Sequence, residues 1–138
     1  TLVALASGLN DVGVLKWIGK GTESYLSGLT PTLLMISMIV FFFILHYFFA
    51  SLTAHTTALL PIFIVIAAKL IAPEQLLTFM ILLTSTIGLM GIITPYGTGP
   101  SPIWYGAGYI KQGTWWALGA IFALIFMAVL LLGVLIYM

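Results

Sequence analysis

Long apolar runs separated by short polar intervals dominate this sequence. Residues 31–50 include no aspartate, glutamate, lysine or arginine, and residues 114–138 form a second uncharged run of 25 residues. At ~1.5 Å of rise per residue, about 20 residues cross a ~30 Å hydrocarbon core, so both runs predict membrane-spanning helices. Thr30-Pro31 is a typical helix start, because proline is tolerated at the first helical position.

The first polar interruption is residues 51–57, which are rich in serine and threonine. The mostly apolar residues 58–72 that follow are short for a membrane crossing. This pattern predicts a re-entrant hairpin over residues 31–72 that has its tip at 51–57 and turns back inside the membrane. The alternative is two spanning helices joined by a polar loop, and both topologies return the chain to the same side.

The second interruption is residues 94–102, where three prolines and two glycines in nine residues break a helix predicted over 75–110. A broken helix at membrane depth is tolerated only where protein or a water-filled cavity covers the freed backbone groups. Each interruption precedes a helix whose N-terminal amides favour anions, and Ser101-Pro102 has the form of an N-cap followed by the first helical proline. Two half-helix ends at mid-membrane are typical of secondary transporters. The alternative is that the hydroxyls only satisfy kinked backbone.

Composition supports the same class of protein. Charged residues make up 5% of the chain and the mean hydropathy is +1.25, whereas soluble domains carry roughly 25% charged residues. The chain is therefore predicted to be an all-α integral membrane protein. Its net charge of +1 argues against a nucleic-acid partner. We also predict no enzyme and no metal site, because the sequence has no cysteine, no paired carboxylates, no catalytic triad pattern and no phosphate-binding loop.

The remaining segments complete the predicted organisation. Residues 1–20 are interpreted as the end of a spanning helix with an interfacial turn, 21–30 as a connector, and 113–138 as the C-terminal spanning helix. The start at Thr1, inside an apolar run, indicates a piece of a longer protein. Lys111 and the tryptophans and tyrosines around it form an aromatic belt with a snorkelling lysine, which marks a membrane interface.

Three polar side chains of the apolar segments are candidates for function. His55 lies beside the hydroxyls of the predicted tip and could donate to a carboxylate or carry a proton. His46, among aromatic residues, is predicted to be packed with one backbone partner. Tyr96 is a possible substrate or proton contact in the second interruption. The run around Tyr96 and Gly97 is also weakly similar to a potassium-channel filter, but the residue order differs.

At these interruptions the chain resembles the divalent anion/sodium symporter family. Ser51-Leu52-Thr53-Ala54, followed by Ala58-Leu59-Leu60-Pro61, is similar to that family's second hairpin tip, and Gly88 through Thr94-Pro95 to the approach to its second unwound loop. The resemblance implies the second of two inverted repeats in an elevator transporter, with the other repeat outside this chain, and a homodimer. It also implies that Ser51, Thr53, Thr94, Pro95, Gly97 and Thr98 bind substrate.

Two departures from the family pattern affect the expected coupling. The tip asparagine of the family is Leu52 here, and its Thr-Pro-Pro-Asn is replaced by Thr94-Pro95-Tyr96-Gly97-Thr98-Gly99-Pro100. Loss of both asparagines argues against sodium at the second site, and no other cofactor is expected. The longer loop is similar to the exchanger branch of the family, which exchanges citrate, succinate, 2-oxoglutarate, malate or tartrate without sodium.

The sequence therefore predicts sodium-independent exchange of di- or tricarboxylates by an elevator mechanism. The bacterial cytoplasmic membrane is the expected location, with the plastid inner envelope as the alternative. A sodium-coupled dicarboxylate symporter, an ion channel and a structural membrane subunit remain alternative functions.

Overall fold

All regular elements in the described part of the chain are helices. The computed structural model describes residues 12–13 and 28–137, so almost all of the segment predicted at 1–20 lies outside it, as does most of the connector at 21–30. The helices are α1 (Pro31–Leu45), α2 (Leu52–Leu70), α3 (Pro73–Leu89), α4 (Ser101–Gly106) and α5 (Gln112–Tyr137). Short 3-10 turns, His46–Phe48 and Met90–Ile92, extend α1 and α3.

The start of α1 confirms the helix signal in the sequence. The Thr30 hydroxyl accepts a hydrogen bond from the Leu33 amide at 3.4 Å, and Pro31 is the first helical residue. The cap satisfies one of the amides that the first turn leaves without a helical partner, and proline removes another. The helix then continues without a charged residue to Leu45.

Helix α2 begins earlier in the polar interval than the sequence pattern suggests. Ser51 is its N-cap and accepts from the Ala54 amide at 3.4 Å, so residues 52–57 form the first turns of a helix. The Thr57 hydroxyl donates to the Thr53 carbonyl at 2.7 Å, within the same helix. Hydroxyls bonded in this way are compatible with helical backbone, which is why a serine- and threonine-rich stretch does not have to be a loop. The non-helical connection is Phe49, Ala50 and the cap itself.

Four segments of the described chain are long and apolar enough to cross a membrane. They are Pro31–Phe48, Leu52–Leu70, Pro73–Ile92 and Gln112–Tyr137, with 18, 19, 20 and 26 residues. Together with the composition, they make this an all-α integral membrane protein.

Helices α1 and α3 form the centre of the bundle, because they contact each other and each of them also contacts α2 and α5. The large apolar side chains that are completely buried are Met35, Ile39, Phe42, Phe79, Leu83, Met90 and Val134. The outer face of α5 is also apolar but exposed, with Leu124 at 72% and Ile136 at 71%. An apolar outer surface of this kind is expected of a helix that faces lipid or another membrane segment.

Glycine permits the closest approach between α5 and the end of α3. A Cβ atom on Gly119 would lie 2.8 Å from the Ile92 carbonyl oxygen and 3.2 Å from that of Ile93. The backbone of α5 therefore lies directly against the residues where α3 gives way to the irregular segment 93–100. Gly88, one helical turn earlier on α3, has no atom within 4 Å of its added Cβ, so it serves no such contact in the described structure.

Candidate functional site

The end of α1, just before the first interruption, lies against the second interruption. The end of α1 contacts segment 93–100 through a hydrogen bond of 3.0 Å between His46 Nε2 and the carbonyl oxygen of Gly97. Because a carbonyl oxygen only accepts, Nε2 carries the proton and donates. A second bond runs in the opposite sense, since the Tyr96 hydroxyl donates to the Tyr47 carbonyl at 3.1 Å. Residues about fifty positions apart in sequence are thus in direct contact.

The first turn of α2 and the loop residue Thr98 meet at Gly91, in the 3-10 turn that extends α3. A Cβ atom on Gly91 would collide with the Thr98 methyl group and would lie 3.4 Å from Leu52 Cδ2. Leu52 and Thr98 therefore both pack onto a position that has no side chain. The result is that the N-terminus of α2 and the loop residue Thr98 share one short stretch of α3.

The predicted substrate ligands differ in how accessible they are. Thr53 is exposed, whereas the side chains of Ser51, Pro95 and Thr98 are half-buried. Thr94 and Gly97 are buried, and the Thr94 hydroxyl has no hydrogen-bond partner among the described residues. The structure thus brings the loop residues and the α2 cap to one region, with Thr53 at its surface.

The start of α4 differs from the prediction that Ser101 is its N-cap. Ser101 is the first helical residue and Pro100 occupies the cap position, without a side-chain cap bond. The Thr98 hydroxyl accepts from the Ser101 amide at 3.3 Å and is also bonded to the Ser101 hydroxyl. The prediction was wrong because the loop, and not the serine, supplies the oxygen that satisfies this amide.

His55 is enclosed by aromatic rings. Its ring is fully buried, with centroids 4.5 Å from Phe42, 5.0 Å from Phe49 and 5.3 Å from His46. Neither ring nitrogen has a hydrogen-bond partner among the described residues. In this arrangement the His55 side chain does not reach the surface of the described chain, and its proposed contact with substrate or proton stays a prediction. His46, by contrast, confirms the expectation of a packed histidine with one backbone partner.

The site carries no formal charge. Residues 31–68 and 75–110 contain no lysine, arginine, aspartate or glutamate. Within residues 28–137 no group of three histidine, aspartate or glutamate side chains is placed to hold a metal ion. An anion in this region would have to be bound by hydroxyls, backbone amides and the N-terminus of α2, whose 19 residues align their peptide dipoles.

The sequence pattern did not reveal Tyr47, Gly91 or the partnership of His46 with the loop. The only local signal was a histidine inside an uncharged apolar run, which predicts that a partner exists but not which residue it is. The lack of a side chain at Gly91 matters only because Leu52 and Thr98, from other parts of the chain, pack against that position.

Comparison with known proteins gives one family and several close relatives. Residues 1–138 match the family described as the sodium:sulfate symporter transmembrane region. The chain is 49% identical over 139 residues to the L-tartrate/succinate antiporter of Escherichia coli K12, and equally to the proteins of that name from Shigella boydii and Shigella flexneri. These alignments cover 100% of this chain but only 28% of each relative.

Proposed function

This chain belongs to the family of the sodium:sulfate symporter transmembrane region, and from that membership we propose that it is part of a dicarboxylate exchanger of the bacterial cytoplasmic membrane. Tartrate and succinate, which name its relatives, are the first substrates to consider. The observation that supports the proposal best is the contact between the end of α1 and the irregular segment 93–100, in a region without formal charge. Such a region suits a doubly charged anion that is held by dipoles and later released.

The depth of the contact in the membrane supports a re-entrant hairpin. Lys111, two residues after the strongly exposed Tyr109, marks a membrane interface just before the first residue of α5. Trp116, whose ring lies 6.1 Å from that of Tyr47, is four residues into α5, and Gly119 at Ile92 is seven residues in. At ~1.5 Å per residue these contacts lie about 6–10 Å below the start of α5. The connection between α1 and α2 would therefore turn back inside the hydrocarbon core.

Substrate binding is proposed for hydroxyl and backbone groups on both sides of this contact. Ser51 and Thr53 would act from the start of α2, and Thr94, Pro95, Gly97 and Thr98 from the loop. The α2 N-terminus offers partial positive charge, and the neutral donors hold a carboxylate without placing a full cation in the bilayer. The second half of the site would come from a preceding inverted repeat, and the contacting hairpin and loop would move together as the elevator of a homodimer.

Exchange, and not sodium symport, is the proposed coupling. The relatives are named antiporters, and this chain has Leu52 and the Tyr96–Pro100 insertion where sodium-coupled members of the family carry asparagines. The family description names sodium, so the symport alternative must be tested directly.

The test is transport by the full-length protein in proteoliposomes. Radiolabelled succinate should enter when the vesicles are preloaded with unlabelled succinate or tartrate, and entry should not depend on sodium. Uptake that requires a sodium gradient and no internal counter-substrate would contradict the exchange mechanism. Absence of any uptake, together with single-channel currents in planar bilayers, would favour an ion channel instead.

Thr53→Ala provides a clean test of the proposed ligands. Thr53 is exposed and no hydrogen bond joins its hydroxyl to another described residue, so its removal should leave the fold intact. If the hydroxyl donates to a carboxylate, the half-saturation concentration for succinate should rise about five- to twentyfold, because hydrogen bonds to charged groups contribute roughly 1.5–3 kcal/mol before water replaces part of the loss. Thr84→Ala is the matched control, since Thr84 is an exposed helical threonine whose hydroxyl bonds only within α3. Equal half-saturation in the two variants would remove Thr53 from the site.

A further inference from the structure

A reciprocal pair of hydrogen bonds joins the end of α1 to the loop of residues 93–100. His46 and Tyr47 at the end of α1 face Tyr96 and Gly97 in the loop. The His46 side chain donates to the backbone of Gly97 at 3.0 Å, and the Tyr96 side chain donates to the backbone of Tyr47 at 3.1 Å. Each two-residue segment thus gives one side-chain donor and one backbone acceptor to the other. We call these four residues the clasp.

The clasp restrains the peptide groups next to the proposed ligands. The Gly97 carbonyl belongs to the peptide bond that leads into Thr98, so the His46 bond fixes the orientation of that peptide plane. A Cβ atom on Gly97 would lie 2.8 Å from both His46 Nε2 and Thr94 Oγ1, which shows how closely the three residues approach each other. His46 is fully buried, and a hydrogen bond shielded from water competes little with solvent.

We propose that His46 and Tyr96 are positioning residues, which hold the Gly97–Thr98 backbone at a fixed place relative to the N-terminus of α2. This inference rests on the proposed function, because it gives those two side chains a role toward the same carboxylate site. It differs from the earlier expectation that Tyr96 contacts substrate or a proton, because its hydroxyl already donates to the Tyr47 carbonyl. Neither side chain needs to touch the substrate, and each acts through the loop that does.

The experiment uses the full-length protein with Tyr96→Phe, His46→Leu, His46→Gln and the double variant Tyr96→Phe with His46→Leu. Tyr109→Phe is the matched control, because Tyr109 is 89% exposed and lies outside the clasp. Two quantities are measured for each: the half-saturation concentration and maximum rate of succinate exchange, and the deuterium uptake of peptides that cover residues 91–100.

Tyr96→Phe and His46→Leu should each raise the half-saturation concentration about five- to tenfold, since each loses one net hydrogen bond of roughly 1 kcal/mol. The maximum rate should change less than the half-saturation concentration. His46→Gln, whose amide can still donate, should recover part of the loss. The double variant should fall short of the product of the single effects, because the second bond loses its value once the loop is released.

Hydrogen exchange separates failure of the clasp from failure of the proposed function. Faster deuterium uptake in residues 91–100 of Tyr96→Phe, but not of Tyr109→Phe, is expected whether or not the wild type transports succinate. If Tyr96→Phe matches Tyr109→Phe in both measurements, the clasp has no positioning role. The inference is overturned if both His46 variants reduce the amount of protein inserted in the membrane but leave the half-saturation concentration unchanged. In that case His46→Gln gives no recovery of affinity, and His46 has only a structural role.

Discussion

Gly97→Ala is expected to reduce succinate exchange by about tenfold or more, with the fold largely retained. The added methyl group would lie 2.8 Å from His46 Nε2 and from Thr94 Oγ1, and 3.2 Å from the backbone oxygen of Gly91. The oxygen of Gly91 cannot turn aside as a side chain can, and His46 and Thr94 are themselves fully buried. Relief of such crowding typically costs about 1–3 kcal/mol and here requires the loop to move away from α1. The measurement is exchange in proteoliposomes at matched amounts of inserted protein.

Gly99→Ala is the control for this substitution. Gly99 lies two residues further along the same loop, is exposed, and has no atom within 4 Å of an added Cβ. It makes the same chemical change without the collision, so its exchange should stay close to that of the wild type. If the two variants transport equally well, the close approach at Gly97 has no bearing on function.

Gly119→Ala is expected to lower the stability of the protein, because it separates α5 from the end of α3. Its methyl group would be 2.8 Å from the Ile92 carbonyl oxygen and 3.2 Å from that of Ile93, both of which are backbone atoms. Helix α5 must shift or tilt to accept it, at a cost of roughly 1–3 kcal/mol that exceeds the helix-propensity gain of up to ~1 kcal/mol for alanine over glycine. The midpoint of thermal unfolding, followed in detergent by the loss of monodisperse protein, should fall.

Gly113→Ala shows the propensity effect alone. Gly113 also lies in α5 but has no atom within 4 Å of its added Cβ, so this variant should be as stable as the wild type or slightly more so. If the midpoint of thermal unfolding falls as much for Gly113→Ala as for Gly119→Ala, α5 is sensitive to any such substitution. The contact of Gly119 with Ile92 would then not be the cause of the lower stability.

Gly97 and Gly119 lie at two different contacts of the loop, so their substitutions are expected to affect transport differently. Gly119 lies where α5 passes the end of α3, and Gly97 lies where the end of α1 approaches the loop. The first contact connects the loop to the neighbouring spanning helix, and the second connects it to the hairpin. A defect at Gly119 is therefore expected to affect stability first, whereas a defect at Gly97 is expected to affect substrate affinity first.

The membrane class of the protein and several helix ends follow from the sequence alone. An uncharged run of sufficient length has few alternatives to a spanning helix, because lipid offers no hydrogen bonds to unpaired backbone. Thr30-Pro31 starts α1 as expected, since a cap and a first-position proline act on their own turn of helix. Local signals were less decisive at residues 52–57 and at Ser101, because serine and threonine hydroxyls are compatible with either a loop or a helix. The structure is decided there by the bond from the Thr57 hydroxyl to the Thr53 carbonyl and by the bond from the Ser101 amide to the Thr98 hydroxyl.

What only the tertiary structure decided is which polar groups meet. His46 and Gly97 are 51 residues apart, and no pattern around either one names the other. The sequence determined that polar groups inside an apolar bundle need partners, because leaving one unpaired costs roughly 1–3 kcal/mol. The choice of partner depends on how α1, α3 and α5 pack against each other. That packing is determined by side-chain shape and by Gly91 and Gly119, where the lack of a side chain lets neighbouring segments approach closely.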